Sequence, residues 1–149
     1  MSLLPVDEAL ERVLEGLRPL PAEEVPLEEA AGRSLTGALR ALRTQPPFDA
    51  SAMDGYAVRS DDVKEAPSEL MVIGASAAGQ RFKGTVGPGE AVRIFTGAPV
   101  PSGTDTILLQ ENAEPLADQR IKALEPVARG RHIRRAGLDF REGDVVLED

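Results

Sequence analysis

The sequence predicts an α+β, β-rich fold: a helical N-terminal segment packed with a C-terminal β segment, and a small β-barrel-like domain inserted between them. Three observations predict it. An apolar stripe of helical period runs from Val6 to Leu17. From Pro46 to about Pro126 the chain breaks into short strand-like runs between turn signals, and one more such run follows near the C-terminus. The expected division is a discontinuous helical/β domain of residues 1–45 plus 127–149 around an inserted β domain of residues 46–126. The length of 149 residues suits one ordinary domain or two small ones.

The elements follow in order. Val6, Ala9, Leu10, Val13, Leu14 and Leu17 share one face of a helix. Asp7 and Glu8 sit in its first turn, where negative charge suits the helix dipole, and Pro19 and Pro21 stop it. Residues 27–39 read as a second, weaker helical segment, interrupted by Gly32 and Gly37. Strands are expected at 56–59, 70–73, 81–86, 91–95, 106–110, 120–124 and 144–147. Residues 86–90, with Gly87, Pro88 and Gly89, are expected to form a tight turn. The small-residue run 74–79 lacks the Lys of a phosphate loop and is expected to be a turn.

Composition removes several function classes. Apolar residues make up 42% of the chain, aromatics 3%, and Trp is absent, so the core must be aliphatic. A net charge of −8 disfavours nucleic acid as a partner. The absence of Cys excludes thiolate zinc sites, disulfides and Cys nucleophiles, and the single His132 excludes a multi-histidine metal site. No stretch has the length of a membrane span and residues 1–10 hold no signal core, so a cytoplasmic protein with no membrane partner is expected.

Three stretches could carry chemistry. In PPFDASAMDGYA (46–57), Ala50, Ser51 and Ala52 allow close backbone approach, and Asp54-Gly55 is a turn pair that exposes a carboxylate. Locally, capping of a turn explains Asp54 more simply than chemistry does. In RIFTGAPVPSGTDTILLQE (93–111), a strand ends at Thr96 and Gly97 opens a stiff loop. A hydroxyl beside free backbone N–H groups can hold an oxyanion, although a rigid Pro-Gly turn accounts for the same pattern. In GRHIRRAGLDFREGDVVL (130–147), Arg131, Arg134 and Arg135 follow Arg129 and precede Asp139. Such a run is usually a solvated face, yet Arg also binds phosphate bidentately. His132 reads as structural rather than as a ligand.

These stretches, in this order, resemble the N-terminal half of the molybdopterin molybdenumtransferases, the bacterial molybdenum-insertion enzymes related to the gephyrin E domain. The resemblance implies binding of adenylylated molybdopterin, uptake of molybdate, release of AMP and dependence on Mg²⁺. It implies a homodimer, with residues 1–45 plus 127–149 as the dimerisation domain, and molybdopterin adenylyltransferase as the pathway partner. It implies catalytic and metal-binding roles for Asp54 and Asp139, and substrate binding by Thr96, Gly97 and Arg135. Two positions depart from the family: Ala50 stands where Asn is usual, and Leu138 where Glu is usual. The family's α/β domain and its C-terminal β domain have no counterpart in the 149 residues, so the chain is expected to be a fragment, inactive alone. The alternatives are a non-catalytic dimerisation or partner-docking module of the same family, and a small β domain in which all three stretches are structural.

Overall fold

The computed structural model describes residues 4–148, so the outermost ends of the expected 1–45 and 127–149 segments lie outside the described residues. Two compact units are present: one of residues up to Ala38 together with Glu148, and one of Leu39–Leu147. Residues 127–147 therefore pack in the same unit as the strands that precede them.

The first unit holds helix α1, Val6–Leu14. Pro5 precedes it, Asp7 and Glu8 occupy its first turn, and Gly16 at φ 84° turns the chain away before the expected end at Leu17. The helix buries none of its own residues, and Val6 and Val13 are 82% and 73% exposed. The expected second helix shrinks to a single 3-10 turn, Leu27–Glu29. Pro26 starts it, and Gly32 at φ 77° ends any continuation. A segment this short, with no buried face, cannot sustain an α-helix. Among the described residues no helix is long and apolar enough to cross a membrane.

The second unit is β-rich. Its strands are β1 (Leu39–Arg40), β2 (Ala50–Ser51), β3 (Gly55–Val58), β4 (Ser68–Ser76), β5 (Glu90–Ile94), β6 (Thr106–Leu109), β7 (Ala113–Pro115), β8 (Arg120–Ala123), β9 (Ile133–Arg134) and β10 (Val145–Leu147). Six of them form one curled, half-barrel sheet in the order β6-β3-β5-β4-β8-β7. All its pairings are antiparallel except β4–β5. β1 pairs with β10 and β2 with β9 as separate two-stranded ribbons.

Five expected strands, β3, β5, β6, β8 and β10, appear within a residue or so of their predicted limits. The strand expected at 81–86 does not form. β4 already pairs with β5 on one side and, over Ser68–Met71, with β8 on the other. The segment crosses as a loop instead: Thr85 bridges Ser102, and the Phe82 ring lies over Gly74 and Gly84, where a side chain would collide with it. β4 is longer than expected and absorbs Gly74, Ala75 and Ser76; only 77–80 turns, with reciprocal bonds between Ala77 and Gln80. The 86–90 turn forms: the Gly87 N–H donates to the Glu90 carboxylate at 2.8 Å, and Gly89 takes φ 74°.

The sheet buries both faces, and its core is aliphatic. Val58, Leu70, Ala91, Leu108 and Ile121 pack on one side. Ala57, Ile94 and Ile107 pack on the other, together with Ala98 and with part of Val100 and Ile133. The second cluster therefore seats two of the three motif stretches on the sheet. Burying Ile94 and Ile107 contributes roughly 1.5–3 kcal/mol each.

Gly55 starts β3 between β5 and β6, and a Cβ there would run into the Leu108 carbonyl, which the sheet holds in place. Gly55→Ala is expected to lower stability by roughly 1–3 kcal/mol in urea unfolding. Gly37→Ala, where a Cβ meets open space, is the control and should change stability by no more than about 0.5 kcal/mol.

Candidate functional site

The site grows from the backbone of residues 49–52, which pairs on both sides. On one side β2 meets β9, with Ala50 opposite Arg134 and Ser51 opposite Ile133, and the Ala52 N–H donates to the His132 carbonyl at 2.8 Å. On the other side the Ser51 N–H donates to the Ala98 carbonyl at 2.9 Å, and the Gly97 N–H donates back to Ser51 at 2.8 Å. The Val100 N–H reaches the Asp49 carbonyl at 2.9 Å. Residues from all three motif stretches thus share one short strand. Ala50 and Ser51 are almost fully buried, so small side chains are what let the neighbouring backbones close in. The Ser51 hydroxyl donates to the Met53 carbonyl at 2.6 Å and turns the chain toward Asp54.

Asp54 stands at the head of β3. Its Oδ1 accepts both the Thr96 N–H and the Thr96 hydroxyl, each at 2.7 Å, and its own carbonyl accepts the Gln110 N–H at 3.2 Å. The Thr96 N–H above all, then the Thr96 hydroxyl and the charge of Arg93, hold the carboxyl below its ordinary value of 3.8. The group is anionic at neutral pH. Among the described residues no donor reaches Oδ2, so that oxygen faces solvent.

Thr96 and Gly97 lie where the sequence places them, but their donors point inward. Both Thr96 donors serve Asp54, and the Gly97 N–H serves Ser51. Gly97 takes φ 80°, a left-handed conformation that favours glycine, and this lets the loop double back onto β2.

Three of the four arginines in the run form ion pairs, and among the described residues Arg131 forms none. Arg129 lies against Asp105 at 3.2 Å. Nη2 of Arg134 donates to both oxygens of Asp139, at 2.7 and 2.8 Å. Arg135 donates to Asp49 at 2.6 Å, while the Ala136 N–H donates to the other Asp49 oxygen at 2.9 Å. The Ala136 amide first, and then Arg135, hold the Asp49 carboxyl below its ordinary value. Asp54 and Asp139 share no hydrogen-bond partner. Among the described residues, no three His, Cys, Asp or Glu side chains gather in a way that could hold a metal ion.

A cavity of about 280 Å³ opens beside this framework, lined among others by Pro46, Phe48, Ala52, Thr96, Gly97 and Arg134. Arg134 is its one ionisable lining residue. A larger hollow around Leu20 and Arg33 contains no residue of the three stretches.

Three participants escape sequence reasoning. Asp49, Arg93 and Gln110 act through partners 17 to 87 positions away, which leave no local pattern. The two departures from the family are both accommodated: Ala50 is buried in β2, and Leu138 is 60% exposed.

Because the folded Asp49 carboxyl is held low, its contribution is complete above the ordinary value of 3.8 and is lost as pH falls through the depressed one. Asp49→Asn is expected to lower stability at pH 7 by about 1 kcal/mol, allowing for solvent screening of a partly exposed pair. The difference from the parent should close in acid, as followed by urea unfolding across pH. Thr96→Val should move the Asp54 carboxyl back toward its ordinary value, as read by carboxyl-carbon NMR titration.

The family described as the MoeA N-terminal region (domain I and II) matches residues 4–149. The chain is 41% identical to the molybdopterin molybdenumtransferase of Haemophilus influenzae over 147 residues, covering 98% of this chain and 36% of that one. It is 38% identical to the molybdopterin molybdenumtransferase of Synechococcus elongatus, covering 97% of this chain and 38% of that one. A crystal structure of the molybdopterin biosynthesis moeA protein from Pyrococcus horikoshii OT3 superposes with a TM-score of 0.88 at 37% identity, covering 99% of this chain and 40% of that one. The chain therefore spans between a third and a half of these relatives' lengths.

Proposed function

The chain belongs to the MoeA N-terminal family, and on that premise we propose that it is the N-terminal part of a molybdopterin molybdenumtransferase of molybdenum cofactor biosynthesis. The protein would insert molybdenum from molybdate into adenylylated molybdopterin, with release of AMP. The observation that carries this is the convergence of three distant stretches on the backbone of residues 49–52, beside a cavity and an outward-facing Asp54 carboxylate.

Each role proposed here is supported by one feature of the geometry. Thr96 holds Asp54 ionised and aims Oδ2 outward. Gly97 fixes the loop that carries Thr96. The cavity suits a small oxyanion better than a whole pterin nucleotide, since small-molecule pockets usually start near 300 Å³. Arg134 lends it positive charge, and it can do so fully only by releasing Asp139. Arg135 is 58% exposed and keeps guanidinium donors beyond the one given to Asp49, so it can meet a substrate phosphate.

The open Asp54 oxygen fits Mg²⁺ as one hard ligand, and Asp139 becomes a second when Arg134 leaves it. Bound Mg²⁺ would offset the negative charge of phosphate and molybdate. With no third ligand gathered among the described residues, the rest of the shell would come from water, substrate or other protein groups. For the same reason the 149-residue chain is expected to be inactive alone.

The same proposal includes a homodimer, a cytoplasmic location and molybdopterin adenylyltransferase as pathway partner, without nucleic acid or membrane. It also includes the domain division at 1–45 plus 127–149 around 46–126. The β1–β10 pairing and the Gln45–Phe140 bridge support the discontinuity, because they close residues 39–45 onto 140–147. The uncovered apolar face of α1 favours a second use of the chain, as a dimerisation or partner-docking module.

In the full-length protein, Asp54→Asn and Asp139→Asn should each cut AMP release coupled to molybdenum insertion by roughly a hundredfold, with unchanged secondary structure. Unchanged turnover in both variants would remove the site assignment. Molybdenum insertion by the 149-residue chain alone would overturn the need for further protein groups.

A further inference from the structure

Arg93 is the unexplained group nearest the site. It lies on β5 opposite Tyr56 of β3. Its Nη1 donates to the Gly55 carbonyl at 2.9 Å and its Nη2 to the Gln110 side-chain oxygen at 2.6 Å. The guanidinium carbon lies 5.1 Å from the Tyr56 ring centre and 5.0 Å from that of Phe95. Two acceptors and two rings therefore fix a planar cation in a single pose. Arg93 forms no ion pair among the described residues, so its field is not cancelled by a carboxylate of its own.

We propose that Arg93 is the positioning residue of the Asp54 turn, bridging the Gly55 carbonyl to the Gln110 side chain and so fixing where the Asp54 carboxylate stands. The loop of contacts is closed. The Gln110 N–H holds the Asp54 carbonyl, Arg93 holds the next carbonyl along, and Thr96, three residues beyond Arg93, holds the carboxylate. β5 and the start of its following loop thus carry both the group that fixes the turn's backbone and the group that fixes its side chain. A lysine could supply the charge but not two divergent donors in one plane. The functional weight of this role rests on Asp54 being a site residue, as proposed above.

The test is amide hydrogen exchange on the 149-residue chain, without metal or substrate. The Thr96 and Gln110 amides report the two bonds to Asp54, and the Val92 and Ile121 amides, on strands paired on both sides, report the sheet core. Arg93→Met is expected to speed exchange at Thr96 and Gln110 by roughly tenfold relative to the core amides, the effect of one lost charge-assisted hydrogen bond. Arg93→Lys should lose the same protection. Equal loss at all four amides would mean that Arg93 serves general stability, and recovery by Lys would mean that charge alone suffices. Either result overturns the proposal. If Arg93→Met does not fold, Gln110→Ala at its exposed position removes one acceptor of the bridge and should give the same local loss at Thr96; full protection there overturns the proposal. Because no turnover is read, these outcomes stand apart from those of Asp54→Asn in the full-length protein.

Discussion

Ala50 and Ser51 accept backbone neighbours on both edges at once, and the motif-bearing half of the larger unit is organised around that double pairing. It demands small side chains, because the Ala98 loop and β9 approach from opposite sides. It favours a glycine at position 97, where a left-handed turn returns the loop to β2. It also ties the site to the core. Ala98 and Ile133, which flank β2, belong to the cluster that packs on Ile94 and Ile107. Loss of that packing would free the loop bearing Thr96 before any site residue was touched.

Charge in this region is handled in two different ways. Asp49, Asp105 and Asp139 each meet an arginine, so an acidic protein carries a cationic run whose charge is largely neutralised at close range. Asp54 is the exception. Its donors, an amide and a hydroxyl, are neutral, and they stabilise the anion without cancelling its charge. The nearby charge of Arg93 is a smaller influence. Asp54 therefore presents a nearly full negative charge to solvent, which is the property a cation-binding carboxylate needs.

The parts of this arrangement that were legible in sequence are those with local signatures. β3, β5, β6, β8 and β10 are short runs set between turn signals, and α1 shows a helical stripe. β2 and β9 are two-residue strands set by partners more than 80 positions away, so no periodicity announces them. Residues 81–86 look like a strand locally but join the fold through a single bridge from Thr85 to Ser102 and no ladder. The same distinction holds in the site. Asp54, Thr96 and Gly97 were marked by a turn pair and a stiff loop. The Asp49 clasp and the Arg93 bridge depend on register between strands, which no single stretch encodes.

The uncovered face of α1 has a consequence for how the isolated chain behaves in bulk solution. Val6, Leu10, Val13 and Leu14 turn a greasy stripe to water, and mutual repulsion from a net charge of −8 opposes the meeting of such stripes on different molecules. That repulsion weakens within a Debye length that shrinks from about 10 Å at 0.1 M salt to about 3 Å at 1 M, whereas attraction between the stripes grows with warming near room temperature. A helix remote in sequence from the motif stretches thus gives the isolated chain an apolar surface on which salt acts by weakening repulsion and warming by strengthening attraction.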